Sequence, residues 1–305
     1  MSWLPSDEPD TGTPQSCDAL DLVIAPHMRD IGDFSVYRAL PSGKRQMVGP
    51  FIFFDQMGPA DMAPGHGIDV RPHPHIGLST VTYLFDGAIM HRDSEGNARE
   101  ILPGAMNLMT AGSGIAHSER TPDLQRKNGQ RVFGIQSWLA LPKAHEETAP
   151  GFQHYSAESL PIVQDGATSV RVIAGRLFGA SSPVTTFSDW FYGDVSLPAG
   201  QKIPLDTDYE ERAIYVAEGE IAIAGENFAA PVMLVFKPGV RITITARMAS
   251  RLMLLGGATM DGPRFIWWNF VSSSRERMEQ AKQDWKQGRF KPVPNETEFI
   301  PLPEK

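Results

Sequence analysis

The chain is nearly free of cysteine: Cys17 is the only one in 305 residues. That excludes an intrachain disulfide and a thiolate metal cage, and it fits a reducing compartment. Dense Lys/Arg runs are also missing, and the formal net charge is −8. Phosphate backbones are bound by basic faces, so nucleic acid is not an expected direct partner. No apolar run approaches the roughly 18 residues of a membrane-spanning helix, so a membrane is not expected either. The opening stretch "MSWLPSDEPDTGTPQS" is acidic and rich in Pro and Ser, without the basic start and apolar core of a secretory signal. The expected location is cytoplasmic. Phosphate-binding glycine loops and the G-x-S-x-G elbow of serine hydrolases are missing as well. Histidine is unevenly scarce. His27, His66, His73, His75, His91, His117, His145 and His154 are all eight, and none follows in the second half.

Short runs rich in Val, Ile, Thr, Phe and Tyr fill the spaces between plentiful glycine and proline. Examples are "LSTVTYLF", "RAIYVAEGEIAI", "PVMLVF" and "VRITIT". Such runs at regular spacing, with turn residues between them, predict an all-β sandwich or barrel. Only "SSSRERMEQAKQDWKQGRF" reads as helix. Ser273 and Glu276 have capping-box spacing, Met278, Ala281 and Trp285 form one apolar stripe, and Gly288 is a suitable stop. The stripe is expected to dock on the β body. "YLFDGAI" (83–89) aligns with "YVAEGEI" (215–221), and "MNLMTAG" (106–112) has a looser counterpart in "VMLVFKPG" (232–239). Two matches in the same order argue for a duplicated β unit. The expected division is 1–142, 150–265, and a helix with an extended tail over 266–305.

If the halves are duplicates, only the first retains imidazole chemistry. Side chains at i and i+2 of a strand share a face. His73 and His75 in "RPHPHIGL" have that spacing, and so do His117 and Glu119 in "AGSGIAHSER". Two such strands facing into a barrel would bring three imidazoles and a carboxylate together. Pro72 and Pro74 act against this, because proline sits in sheets only at edges, starts or bulges. His91 reads as a turn or hydrogen-bonding residue, and His27, His66, His145 and His154 as surface or loop residues.

The stretches "HPHIGLSTVTYLFDGAIMHRDSEGN" and "PGAMNLMTAGSGIAHSE" resemble the pirin family of the cupin superfamily, over most of the chain. The resemblance implies two tandem cupin β-barrels of jelly-roll type. It implies one metal in the first barrel, with His73, His75, His117 and Glu119 as ligands, and a vestigial second barrel. A nitrogen and oxygen site of this kind suits Fe, Mn, Co, Ni, Cu or Zn, and the resemblance favours iron as Fe(II)/Fe(III). Ser79 stands where general cupin motifs place a glutamate, four residues after the second histidine, and is expected to alter the charge of the pocket. Two activities follow. One is a dioxygenase of the quercetin 2,3-dioxygenase kind, with O2 and a flavonol or small aromatic enol as substrates and Glu119 as the catalytic base. The other is an iron-dependent redox sensor that regulates a protein partner without catalysis. The chain is expected to be a monomer.

Overall fold

The computed structural model describes residues 10–12, 18–30, 35–205 and 208–304; Cys17 lies outside them. The expected all-β architecture is present as two barrels and a C-terminal helix. In the first barrel the larger sheet runs, in spatial order, Gly151–Tyr155, Met106–Thr110, Leu78–Asp86, Gln130–Ala140, Phe51–Met62, Ser35–Leu40 and His27–Asp30. Facing it is a smaller sheet of Asp69–His75, Ile115–Arg120, Ile89–Asp93 and Ala98–Ile101. The second barrel repeats the plan. Its larger sheet runs Asp10–Gly12, Leu20–Ala25, Val232–Phe236, Glu211–Glu218, Ser250–Gly257, Trp190–Leu197, Thr168–Ala174 and Ile162–Asp165. Its smaller sheet runs Lys202–Leu205, Ile242–Ala246, Glu220–Ile223 and Glu226–Ala229. The matching strand orders account for the sequence repeat.

Sheet membership crosses the expected divisions in two places. Leu20–Ala25, from the start of the chain, pairs with Val232–Phe236 of the second barrel. Gly151–Tyr155, beyond residue 142, pairs with Met106–Thr110 of the first. One side of each larger sheet is thus completed from beyond the barrel's own contiguous stretch: by Leu20–Ala25, with Asp10–Gly12 outside it, in the second, and by Gly151–Tyr155 in the first.

The two large sheets pack face to face. Val81, Tyr83, Leu108, Ile135, Phe51 and Phe54 of the first meet Tyr192, Tyr215, Met233, Val235, Met253 and Leu255 of the second in one buried cluster. Strands such as Leu78–Asp86 therefore have a barrel interior on one face and the other barrel on the opposite face. That is why they read as nearly continuous apolar runs rather than clean alternations. Polar ties also cross between the barrels: the Tyr83 hydroxyl donates to Asp194 Oδ2 at 2.7 Å, Asp194 also accepts from Arg251 Nε at 2.9 Å, and the Gly49 N–H donates to Glu211 Oε2 at 2.7 Å.

The helix spans Arg275–Lys286 and buries Met278 and Ala281. It docks on Ile76, Trp268 and Phe270, against the first barrel. Its N-cap is Ser274, which accepts from the Arg277 N–H at 3.2 Å, one residue later than the expected Ser273. Ser273 is committed elsewhere, since its N–H and hydroxyl both donate to the buried Glu146 carboxylate. Gly288 has φ +65°, as a C′ stop requires. A short second helix, Asp123–Asn128, was not expected from the sequence. Among the described residues no helix is long and apolar enough to cross a membrane.

The tail and the turn that follows the strand Asp69–His75 are joined closely at Gly77. Its φ is +67°, and a Cβ there would lie 2.0 Å from the Val271 carbonyl oxygen. Gly77→Ala is expected to destabilise the fold by at least about 1–2 kcal/mol, the cost of a left-handed backbone alone, and to lower the thermal midpoint. An unchanged midpoint would show that this junction is not tight.

Candidate metal centre

The strand Asp69–His75 lies at the edge of the smaller sheet. That position resolves the difficulty posed by Pro72 and Pro74, because an edge strand has one side free of ladder bonds. Its neighbour Ile115–Arg120 pairs with it so that His117 lies opposite His73, and a register shift follows before Glu119, which pairs with Val70. His73, His75 and His117 all turn into the barrel, with at most 1 % of their surface exposed. One ring nitrogen from each lies within 4.8 Å of the others.

Each of the three rings is held from behind. His73 Nδ1 is 2.9 Å from the Arg71 carbonyl oxygen, and His75 Nδ1 is 3.1 Å from the Asn269 carbonyl oxygen. A carbonyl can only accept, so both Nδ1 atoms carry the proton and both Nε2 atoms are bare. His117 Nδ1 faces His91 Nδ1 at 3.4 Å. Burial is the chief cause that pushes all three imidazoles well below their ordinary 6.5, and neighbouring imidazoles add to it for His73 and His117. The rings are neutral, with lone pairs available.

Those lone pairs have nowhere else to go. His73 Nε2 is buried and has no hydrogen-bond partner among the described residues. His75 Nε2 and His117 Nε2 approach to 3.1 Å. Two nitrogens bound to one ion at about 2.1 Å, roughly at right angles, would stand about 3 Å apart. The donor set and spacing therefore fit a divalent transition metal. Trp138 forms a wall beside them, with its ring centroid 5.1 Å from that of His75.

Glu119 is buried beside this group, but its carboxylate is not one of the three clustered donors. Its Oε1 stands 3.4 Å from Thr82 Oγ1, whose single proton is better placed for Gln136 Oε1 at 2.8 Å. Ser79 is not in the pocket at all. The turn at Ile76–Gly77 resets the alternation, so Leu78, Thr80 and Thr82 face inward while Ser79, Val81 and Tyr83 face the other way. Ser79 bonds Thr110 Oγ1 at 3.1 Å on that outer face. The expectation that Ser79 alters the pocket's charge is therefore corrected.

Of the remaining histidines, His66 and His145 are exposed and His27 is half-buried. His154 lies on a strand rather than in a loop, half-buried and 2.7 Å from Asn107 Oδ1. His91 is indeed hydrogen-bonded, yet it sits on the strand Ile89–Asp93 rather than in a turn, pointing inward beside His117. Asp93, 3.2 Å from His91 Nε2, drew no attention in the sequence. A signal was present: His91-x-Asp93 repeats the i, i+2 spacing of the other two pairs.

The outer side of the strands Asp69–His75 and Ile115–Arg120 is covered by the C-terminal tail. Ile300 N–H donates to the Pro72 carbonyl at 2.8 Å. The Glu296 carboxylate accepts from Ser118 Oγ at 2.8 Å and from Arg120 Nε at 2.9 Å. Arg120 holds the Glu296 carboxyl below its ordinary 4.5.

The Pirin family model matches residues 33–139 and the Pirin C-terminal cupin domain model matches residues 192–291. A pirin-like protein of Caulobacter vibrioides is 50% identical over 289 residues, covering 93% of this chain and all of that one. The crystal structure of a quercetin 2,3-dioxygenase from Acinetobacter baumannii superposes with a TM-score of 0.85 at 31% identity, over 93% of this chain and 96% of that one. A bacterial pirin from Escherichia coli, solved in complex with nickel(II), gives a TM-score of 0.60 at 19% identity and covers 77% of this chain and 96% of its own, a likeness of fold alone.

Because the depressed Glu296 carboxyl contributes stability only while ionised, Glu296→Gln is expected to cost about 1–3 kcal/mol of stability at pH 7, the range for a charge-assisted bond, and so to lower the thermal midpoint. The difference from wild type should persist above pH 4.5, the ordinary carboxyl value, and vanish as the pH falls through the lowered value. A gap that widens in acid would contradict this.

Proposed function

The chain belongs to the pirin family, and on that premise we propose that it is a metal-dependent dioxygenase acting on flavonol or enol-type substrates with O2. The convergence of three bare Nε2 atoms inside the first barrel carries this reading. His73, His75 and His117 would hold one divalent transition metal, for which iron is the favoured choice. Glu119, buried beside them, would supply a fourth ligand. Such an ion, when bound, supplies Lewis acidity toward an enol oxygen and redox chemistry toward O2. The likeness to the Acinetobacter quercetin 2,3-dioxygenase supports the substrate class.

The residues of the chain perform the remaining tasks. Glu119, buried and short of strong donors among the described side chains, accepts the hydroxyl proton of the substrate. Thr82 and Gln136 face it from the opposite sheet and form a polar strip along which a hydroxylated ring can be oriented. The Trp138 ring, stacked on Phe53 at 4.0 Å, offers an aromatic wall and limits access of water.

Oxygen uptake with a flavonol panel on iron-loaded protein tests the proposal. Wild type should consume O2, and His117→Ala should abolish uptake. Glu119→Gln should reduce turnover at matched iron content by roughly 10²–10⁴-fold, the span of general acid–base catalysis. Unchanged uptake in His117→Ala, or none in wild type, would reject the assignment.

A further inference from the structure

His91 and Asp93 are buried in the first barrel, at 4 % and 0 % exposure, and the chemistry above does not use them. A carboxylate and an imidazole taken out of water are costly unless each is paired. Here they form a chain that ends on the metal centre. We propose that His91 is a positioning residue: backed by Asp93, it holds the His117 ring from its Nδ1 side so that Nε2 is aimed at the ion. This rests on the metal-site reading above.

The hydrogen-bond directions agree from one end to the other. Asp93 is fixed by its own loop, since Oδ1 accepts from the N–H groups of Glu95 and Asn97, each at 3.0 Å, and Oδ2 accepts from Asn97 Nδ2 at 2.9 Å. His91 Nε2–H donates to Asp93 Oδ2 at 3.2 Å. That leaves His91 Nδ1 bare and able to accept from His117 Nδ1–H, 3.4 Å away. With its proton there, His117 presents a lone pair at Nε2, the atom that faces His75. The His91 ring cannot easily swing away, because Phe152 stacks on it at 4.6 Å with 20° between planes. Outer hydrogen bonds of this kind fix the tautomer and orientation of a ligating imidazole. His117 is also the one ligand whose Nδ1 finds no backbone carbonyl; His73 and His75 use Arg71 and Asn269 instead.

The second barrel supplies an internal comparison. The strand that corresponds to His91 and Asp93 presents Ile221 and Ile223 to its interior. The counterparts of the ligand strands present Ile203 with Leu205 and Ile242 with Ile244. All six are buried in one apolar cluster. The barrel that has aliphatic groups on its ligand-strand counterparts also has them where His91 and Asp93 would stand, as expected if the six polar groups form one unit.

Cobalt(II) binding to the full chain tests this without reference to turnover. Affinity is read by chelator competition, and geometry by the visible ligand-field bands. His91→Phe should weaken binding roughly 10–100-fold and shift the bands. His91→Asn should restore most of both, because its amide oxygen can take the place of Nδ1. Asp93→Asn should weaken binding and shift the bands in the same sense. If His117→Ala loses cobalt while His91→Phe, or Asp93→Asn should His91→Phe not fold, keeps the wild-type affinity and spectrum, the positioning role is overturned and the metal centre stands. Wild type that takes up no cobalt, or His117→Ala that binds as wild type does, overturns the metal centre and this proposal together.

Discussion

Three buried imidazoles turned toward one another, with His73 Nε2 left without a hydrogen-bond partner among the described residues, are the constraint around which the first barrel is built. A buried acceptor without a hydrogen bond costs on the order of 1–3 kcal/mol, so neutral rings aimed at one another are tolerated only where something else fixes their orientation. Each ring is fixed through Nδ1, and by a different part of the chain: Arg71 on the same strand, Asn269 in the C-terminal segment, and His91 on the neighbouring strand. The consequence is that the tail is part of the site. Phe270 bridges to Ile76, Ile300 pairs with Pro72, and Glu296 clasps Arg120 just beyond Glu119. The helix and tail cover the edge that the strand Asp69–His75 would otherwise expose.

The second barrel shows what the same frame becomes without that constraint. Its interior is filled by Ile, Leu, Val and Phe, which gives stability through burial alone. Its outer sheet offers an apolar face to the first barrel, and Asp194, held by Arg251, receives the Tyr83 hydroxyl across the boundary. One copy of the fold gathers three buried imidazoles, and the other has an apolar interior. The strands that complete each larger sheet from beyond its own stretch tie the two together.

Much of this was legible in the sequence, and for identifiable reasons. Period-2 alternation made His73 with His75 and His117 with Glu119 visible as pairs, and repeated turns made the duplication visible. The helix showed itself through the Met278, Ala281 and Trp285 stripe. What escaped depended on partners distant in sequence or on interrupted periodicity. Ser79 stands four residues from His75 and by simple counting shares its face, but the bend at Gly77 breaks the strand and reverses the count. Ser273 was claimed by Glu146, 127 residues away, so the cap moved to Ser274. His91 looked like a turn residue because the strand Ile89–Asp93 is short and flanked by glycine-containing turns. Its partners His117 and Phe152 lie on strands separated from it by 26 and 61 positions. The prolines at 72 and 74 argued against a strand until the fold placed that strand at an edge.

The most direct test of the metal centre is anomalous diffraction from crystals of the metal-loaded protein, collected at the absorption edge of the bound element. A single peak should stand between the Nε2 atoms of His73, His75 and His117, with none inside the second barrel. A map without density at that point, or with the metal held elsewhere on the chain, would contradict the account.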